Sequence, residues 1–174
     1  MFIEATEQHI SEIVELVNLS YRSKAQQGWT SEASIVDGDR TNAQQIRELI
    51  QNNSNILLMF QGMQLIACVH VKNCEKSGYI GMLTTHPVMQ NQGLGKQLLQ
   101  TAETYLKQKY GVSTFQMSVL STRTELIAFY QRRGYALTHQ VDAYPIHANV
   151  GQPLFQDLTV LNLIKHTDLA EHDC

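Results

Sequence analysis

The run from Pro87 to Lys96, Pro-Val-Met-Gln-Asn-Gln-Gly-Leu-Gly-Lys, carries the densest chemical signal in the chain. It follows an apolar stretch, 79–83, and opens a long amphipathic segment. A strand that feeds a glycine-containing turn and then a helix is a device for holding phosphate. The first backbone N–H groups of a helix have no partner inside it, and they carry the positive end of the helix dipole. Glycine at 93 and 95 removes side chains, so a ligand can approach the backbone closely. The expected guest is the pyrophosphate of a nucleotide-derived cofactor. A P-loop is excluded, since no Gly-Lys-Ser/Thr follows at the required spacing. A dinucleotide fingerprint fits poorly, because Leu98 stands where a third glycine is needed and the preceding chain reads as hairpins.

The elements that must position this turn can be read from patterning. Residues 1–5 suggest an edge strand. Thr6 offers an N-cap for a helix with Ile10, Ile13, Val14, Leu16 and Val17 on one face. Residues 23–40 are polar and aperiodic, a long loop of the kind that is often functional. Thr41 with Gln44 predicts a capping box and a helix over 42–51. Residues 55–60 and 64–71 form a predicted hairpin around Gly62, and a third antiparallel strand is expected at 78–85 after a turn at 73–77. The segment 93–110 is the strongest helix, with Leu94, Leu98, Leu99, Ala102, Tyr105 and Leu106 at helical spacing and Gly111 as its stop. A strand is expected at 114–120. A capping box from Thr122 to Glu125 then introduces a helix ending near Arg133 and Gly134, and two strands follow at 135–140 and 157–164. The unit 78–120 is β-α-β, so its two strands should be parallel neighbours. The fold class is α/β (α+β): a mixed, mostly antiparallel twisted sheet of about seven strands flanked by about four helices.

Bulk composition bounds the rest. The 174 residues suit a single domain over 1–174, with a flexible tail at 166–174. A net charge of −3 gives no general pull toward nucleic acid or an anionic membrane. Glu4 and Glu7 argue against a signal peptide, and no apolar run approaches the ~20 residues of a membrane span. Cys68, Cys74 and Cys174 lack metal-ligand spacing, as do the scattered histidines, so no metal is expected. Reduced thiols in a cytoplasmic monomer or homodimer are the simple expectation.

One family unites these features. Gln90-Asn91-Gln92-Gly93-Leu94-Gly95 resembles the (Gln/Arg)-x-x-Gly-x-(Gly/Ala) signature of the GNAT superfamily of N-acetyltransferases. Phe129-Tyr130-Gln131-Arg132-Arg133-Gly134-Tyr135 resembles its second motif, near 40 residues beyond. The motif core is 79–136, and the order of elements is similar over about 1–165. The resemblance implies acetyl-CoA as donor. It also implies transfer to a primary amine of a small molecule or peptide, by direct attack through a tetrahedral intermediate. It places the backbone of Gln90, Asn91, Gln92, Gly93, Leu94, Gly95 and Lys96 around the pyrophosphate, and that of Leu83, Thr84 and Thr85 along the pantetheine arm. It puts Tyr130 beside the sulfur, where a phenol of pKa near ~10 stays protonated and can donate to a departing thiolate. A backbone N–H near Leu83 or Thr84 would meet the oxyanion. Family members often have Asn where this chain has Arg123, which could instead reach a phosphate or a substrate carboxylate, or cap its helix on the solvent side.

The strand 78–85 has no carboxylate to serve as base. Glu32, Glu75, His86, Asp142 and His147 are the alternatives, together with a water relay. The acceptor is expected between 21–40 and 142–155. Trp29, Glu32 and Arg40 are the substrate candidates there. Tyr21, Arg22, Asp37 and Asp39 share the first segment. Arginines suit an acidic acceptor and carboxylates suit an amine, so the signs conflict. A non-catalytic acyl-CoA-binding regulator on the same scaffold is the alternative function.

Overall fold

The computed structural model describes residues 2–24, 31–51, 53–90 and 92–167. Trp29 and Asn91 lie outside them. The strands are β1 (Phe2–Glu4), β2 (Val36–Asp37), β3 (Ser54–Gln61), β4 (Gln64–Cys74), β5 (Ser77–Thr85), β6 (Thr114–Leu120), β7 (Ala136–Ala143), β8 (Gln152–Pro153) and β9 (Thr159–His166). The α-helices are α1 (Ile10–Arg22), α2 (Ala43–Leu49), α3 (Leu94–Tyr110) and α4 (Thr124–Gln131). Seven strands form one sheet in the order β1-β3-β4-β5-β6-β9-β7, antiparallel except for β5 with β6. This is the mixed, mostly antiparallel architecture that patterning predicts.

The helices divide between the two faces. Helix α1 buries Ile10, Ile13, Leu16 and Val17, a stripe at helical spacing, and packs with Ile46 of α2 against Ile56, Leu58 and Cys68. Helix α3 buries Leu98, Leu99, Ala102 and Leu106 against the opposite face, where Ile127 and Tyr130 of α4 join them. Alternate β4 residues serve the two cores: Ala67 and Val69 one, Cys68 the other. Glu103 of α3 ties down the far half of the sheet. It accepts from the Tyr135 hydroxyl (2.8 Å) and from Lys165 Nζ of β9 (2.7 Å).

Several expected boundaries move, each for a local reason. The box before α2 is Asn42 with Gln45, one residue beyond the expected Thr41 and Gln44. Thr41 is instead buried, with its N–H and C=O both taken by the Asn18 amide of α1. The Thr122–Glu125 box does not form, because the Glu125 carboxylate accepts from Arg123 Nε (2.8 Å) and Arg123 takes the N-cap position of α4 without a side-chain capping bond. Strand β9 begins two residues late, after Asp157 adopts a left-handed φ of 60°. It runs through His166, which the sequence reading assigned to the flexible tail; 168–174 lie outside the described residues.

One feature of the loop 31–40 escaped the pattern. Its residues Val36 and Asp37 pair with β8 in a second, two-stranded sheet. Gly151, at φ +105°, lets this strap close: a Cβ there would meet the Asp37 carbonyl oxygen at 2.6 Å.

His70 of β4 is buried beside Tyr79. Ser54 Oγ donates to the Leu49 carbonyl (2.8 Å), so it accepts from His70 Nε2 (2.9 Å), which assigns the proton to that nitrogen. Burial pushes the imidazole pKa down from 6.5 to about 4, with Lys72 and Arg40 adding repulsion. The neutral ring is therefore the folded form. Stability is full above pH 6.5 and falls between there and pH 4, because only the unfolded chain takes up the proton. Urea unfolding should lose on the order of 1–2 kcal/mol from this residue between pH 7 and pH 5, and His70→Phe should flatten that slope.

Candidate functional site

The site grows from a defect in the sheet. Strands β5 and β6 pair only at Gly78 with Phe115 and Tyr79 with Gln116, then separate. Within β5, Met82 has a left-handed φ of 47°, and the register against β4 shifts between Cys68 and His70. Ile80 and Leu83 then point into the same core, three residues apart, where a regular strand would need an even spacing. This is a β-bulge that turns the strand away from β6.

Beyond the bulge, the edge of β5 facing β6 is bare of strand partners. The His86 N–H donates to Ile66 across β4, so alternation aims Thr84 at β4 and aims Leu83 and Thr85 into the gap. Helix α1 supplies part of what β6 does not. The Tyr21 hydroxyl donates to the Leu83 carbonyl (3.0 Å), and Ser20 Oγ donates to the Thr85 carbonyl (3.2 Å).

On one side of this edge lies a groove of about 290 Å³. Thr85, Gln90, Gly93, Leu94, Gly95 and Lys96 line one wall; Phe129, Arg132 and Arg133 line the other, with Glu125. Helix α3 opens here without a side-chain cap and with no acidic residue in its first turn. Gly93, at φ +76°, has no atom within 4 Å of where a Cβ would stand. Two buried polar atoms beside this opening, Thr85 Oγ1 and Arg133 Nε, have no hydrogen-bond partner among the described residues. The Arg133 guanidinium lies 3.5 Å over the Phe129 ring, so this arginine pair lines a groove rather than forming a plain solvated helix end. Open N–H groups, a lysine and two arginines make the groove a receptor for an anion.

At the other end of the gap is a cleft of about 180 Å³, which Leu83, Tyr130, Glu32 and Arg40 line together with Tyr21, Arg22, Tyr79 and Tyr144. Tyr130 is buried, edge-on to Phe129 and Tyr135. Burial pushes its phenol well above the ordinary range, and the nearby Tyr21 adds to this. The hydroxyl is thus held protonated. Arg22 is fully engaged: it donates to Glu32 (2.8 Å), Gly38 O (3.0 Å) and Val150 O (2.6 Å). Glu32 faces a second guanidinium, Arg123, at 3.9 Å.

Some candidates fall elsewhere. Gln92 is exposed outside the groove lining. The Thr84 side chain is buried and donates to Met82 O (2.9 Å). Arg123 is buried between Glu32 and Glu125, which overturns a solvent-side cap. Among the alternative bases only Glu32 lines the cleft. Glu75 is exposed in the β4–β5 turn, His86 accepts from the Val88 N–H, Asp142 is held by Asn162, and His147 is exposed. Sequence reading did not single out Ser20, Tyr79 or Tyr144. Only Tyr144 had a usable signal, an aromatic inside the segment expected to face the acceptor.

Glu32 holds the cleft together electrostatically. Its side chain and those of Arg22 and Arg123 are 12%, 8% and 4% exposed. Glu32→Ala should leave two buried guanidinium groups short of a carboxylate and cost about 3–5 kcal/mol in chemical denaturation, well beyond a surface pair.

The family model for the acetyltransferase (GNAT) family matches residues 12–135. A search of curated proteins returns no match. Many solved structures share the fold. The ribosomal-protein-S18-alanine N-acetyltransferase of Escherichia coli is similar at TM-score 0.73 and 13% identity, over 100% of this chain and 97% of that one. A ribosomal-protein-alanine N-acetyltransferase from Brucella melitensis gives 0.70 and 13%, over 96% and 99%. A GNAT family acetyltransferase from Elizabethkingia anophelis, solved with acetyl-CoA bound, gives 0.68 and 16%, over 96% and 97%.

Proposed function

This chain belongs to the acetyltransferase (GNAT) family, and from that premise we propose that it moves the acetyl group of acetyl-CoA to a primary amine of a small molecule or peptide. The observation that carries the reading is the gap between β5 and β6, with an anion groove at one end and a tyrosine-lined cleft at the other. The residues present suit the donor. The unpartnered Thr85 Oγ1 and Arg133 Nε and the open space at Gly93 are what a pyrophosphate-bearing ligand would fill.

Gly93, Leu94, Gly95 and Lys96 would hold the pyrophosphate through main-chain N–H groups, with the Lys96 ammonium beside them. The freed edge at Leu83 and Thr85 would pair with the pantetheine arm as a strand would. When bound, the donor supplies an activated acyl thioester. The Leu83 N–H is the better oxyanion donor of the two candidates, since Thr84 faces β4. Tyr130 keeps its proton at neutral pH and would deliver it to the departing sulfur. Glu32 has both carboxylate oxygens turned to guanidinium groups, so water, or an amine that loses its proton readily, suits this cleft better than a dedicated carboxylate base. That same shortage of a base is the one observation favouring a non-catalytic acyl-CoA-binding regulator.

A thiol-release assay with acetyl-CoA over a panel of primary amines decides between them. Turnover is expected, with kcat reduced about 10²–10⁴-fold in Tyr130→Phe as for loss of a positioned acid. Acetyl-CoA binding without turnover of any amine would favour the regulator. Independently, Gly93→Val should weaken coenzyme A binding at least about tenfold by calorimetry, because the new side chain occupies the open space at a left-handed residue. Its stability cost should be no more than about 1–2 kcal/mol of backbone strain.

A further inference from the structure

Among the described residues, Arg40 is the charge in the cleft without an ion-pair partner. The other guanidinium groups around Glu32 are paired: Arg22, which lines the cleft, with Glu32, and Arg123 behind it with Glu125 and Glu32. No carboxylate of the described residues forms an ion pair with Arg40. The segment 25–30, Ala-Gln-Gln-Gly-Trp-Thr, contains no acidic residue that could supply one. Asp37 and Asp39, its neighbours in sequence, are exposed, and Asp37 lies 4.0 Å from Lys24. Glu48 lines the adjoining cavity that Arg40 shares, but its carboxylate accepts from Gln44 (2.9 Å). The opposing signs in the sequence thus resolve: Glu32, the carboxylate that lines the cleft, is turned to Arg22 and Arg123, and among the described residues Arg40 is the cleft guanidinium with no ion pair.

Its position is fixed. The Arg40 and Thr41 N–H groups both donate to Asn18 Oδ1 (2.8 and 3.1 Å), which clamps this backbone to α1. The guanidinium carbon stands 5.6 Å over the Tyr21 ring, and the hydroxyl of that ring reaches the Leu83 carbonyl. One tyrosine ring therefore separates Arg40 from the strand edge beside which Tyr130 lies. The cleft itself, at about 180 Å³, is smaller than the ~300 Å³ at which drug-sized pockets begin.

Resting on the acetyl-transfer reading, we propose that the acceptor is a small amino acid-like molecule whose carboxylate pairs with Arg40 while its amine faces the acyl site beside Leu83 and Tyr130. A planar guanidinium offers two parallel N–H donors that match a carboxylate. A simple alkylammonium or diamine would meet an unopposed positive charge, so Arg40 also rejects acceptors that lack the acid group.

The test separates binding from chemistry. The protein saturated with coenzyme A is titrated with free amino acids and with their α-amides, and with O-phosphoethanolamine as a phosphate-bearing amine. At least one acid should bind roughly 10- to 100-fold more tightly than its amide. Arg40→Ala should erase that preference and Arg40→Lys should restore part of it, with coenzyme A affinity unchanged in both variants as the check on folding. Amides that bind as well as the acids, no binding by any acid, tighter binding of the phosphate probe, or a preference that survives Arg40→Ala would each overturn the proposal. Thiol release is then measured on the same panel. Acids that bind but are not acetylated would sink the acetyl-transfer reading and leave the Arg40 carboxylate site standing.

Discussion

The structure depends on one broken ladder. A parallel pair of strands joined by a helix would ordinarily stay hydrogen-bonded along its length, yet β5 and β6 remain paired only at Gly78 and Tyr79. The cause lies in β5, where Met82 in a left-handed conformation inserts an extra residue and bends the strand. Backbone groups freed in a protein interior must find other partners or lose on the order of a hydrogen bond each. Tyr21 and Ser20 meet two of them, the carbonyls of Leu83 and Thr85. Helix α1 is thus more than a cover for one face: its C-terminal turn makes the separation affordable. The β6 strand compensates on its other edge, pairing with β9 along its whole length.

Charge is sorted along the gap that results. The α3 end collects unpaired helix N–H groups with Lys96, Arg132 and Arg133. The cleft end collects arginines too, but there Glu32 pairs with two of them, with Glu125 sharing Arg123, and in doing so links three distant pieces of chain: α1 through Arg22, the loop 31–40, and the start of α4 through Arg123. Arg22 extends the link by donating to Val150 O, next to the glycine whose missing Cβ lets β8 close on β2. One carboxylate therefore orders the wall of the cleft, and a buried carboxylate with two cationic partners is costly to remove.

Much of this was legible in the sequence. Strong periodicity located α1 and α3, and turn glycines located the β3–β4 hairpin and the end of α3, because these signals are local. Capping boxes were legible only to within a residue. Thr41 and Thr122 have the right chemistry, but other partners win: a tertiary one at Thr41, whose backbone Asn18 takes, and a nearer local one at Thr122, where Glu125 turns to Arg123. The two-residue strands β2 and β8 were not legible, since two residues carry no period and their pairing spans more than a hundred positions. In the site, the glycine turn stood out by type and spacing, and Tyr130 by its place in the motif that resembles the family's second one. Arg40, and not Arg22, is a substrate candidate from the sequence, but which of the two is paired is a property of the fold.

The same distinction bears on how an amine could be activated without an evident base. Glu32 is the only one of the proposed carboxylate or histidine bases that lines the cleft, and to accept a proton it would have to turn an oxygen away from Arg22 or Arg123. That would undo the ion pairs which order the wall. His70 has a lone pair at Nδ1, yet burial keeps its pKa near 4 and its partner Ser54 holds it within the sheet, far below the range in which a base works well at neutral pH. With the Glu32 carboxylate committed to guanidinium groups and the histidine of the adjoining cavity neutral, the proposed transfer would leave deprotonation to solvent and to the acceptor itself. The protein's own contribution would then be position and charge: a strand edge to align one reactant, and the Arg40 guanidinium to select the other.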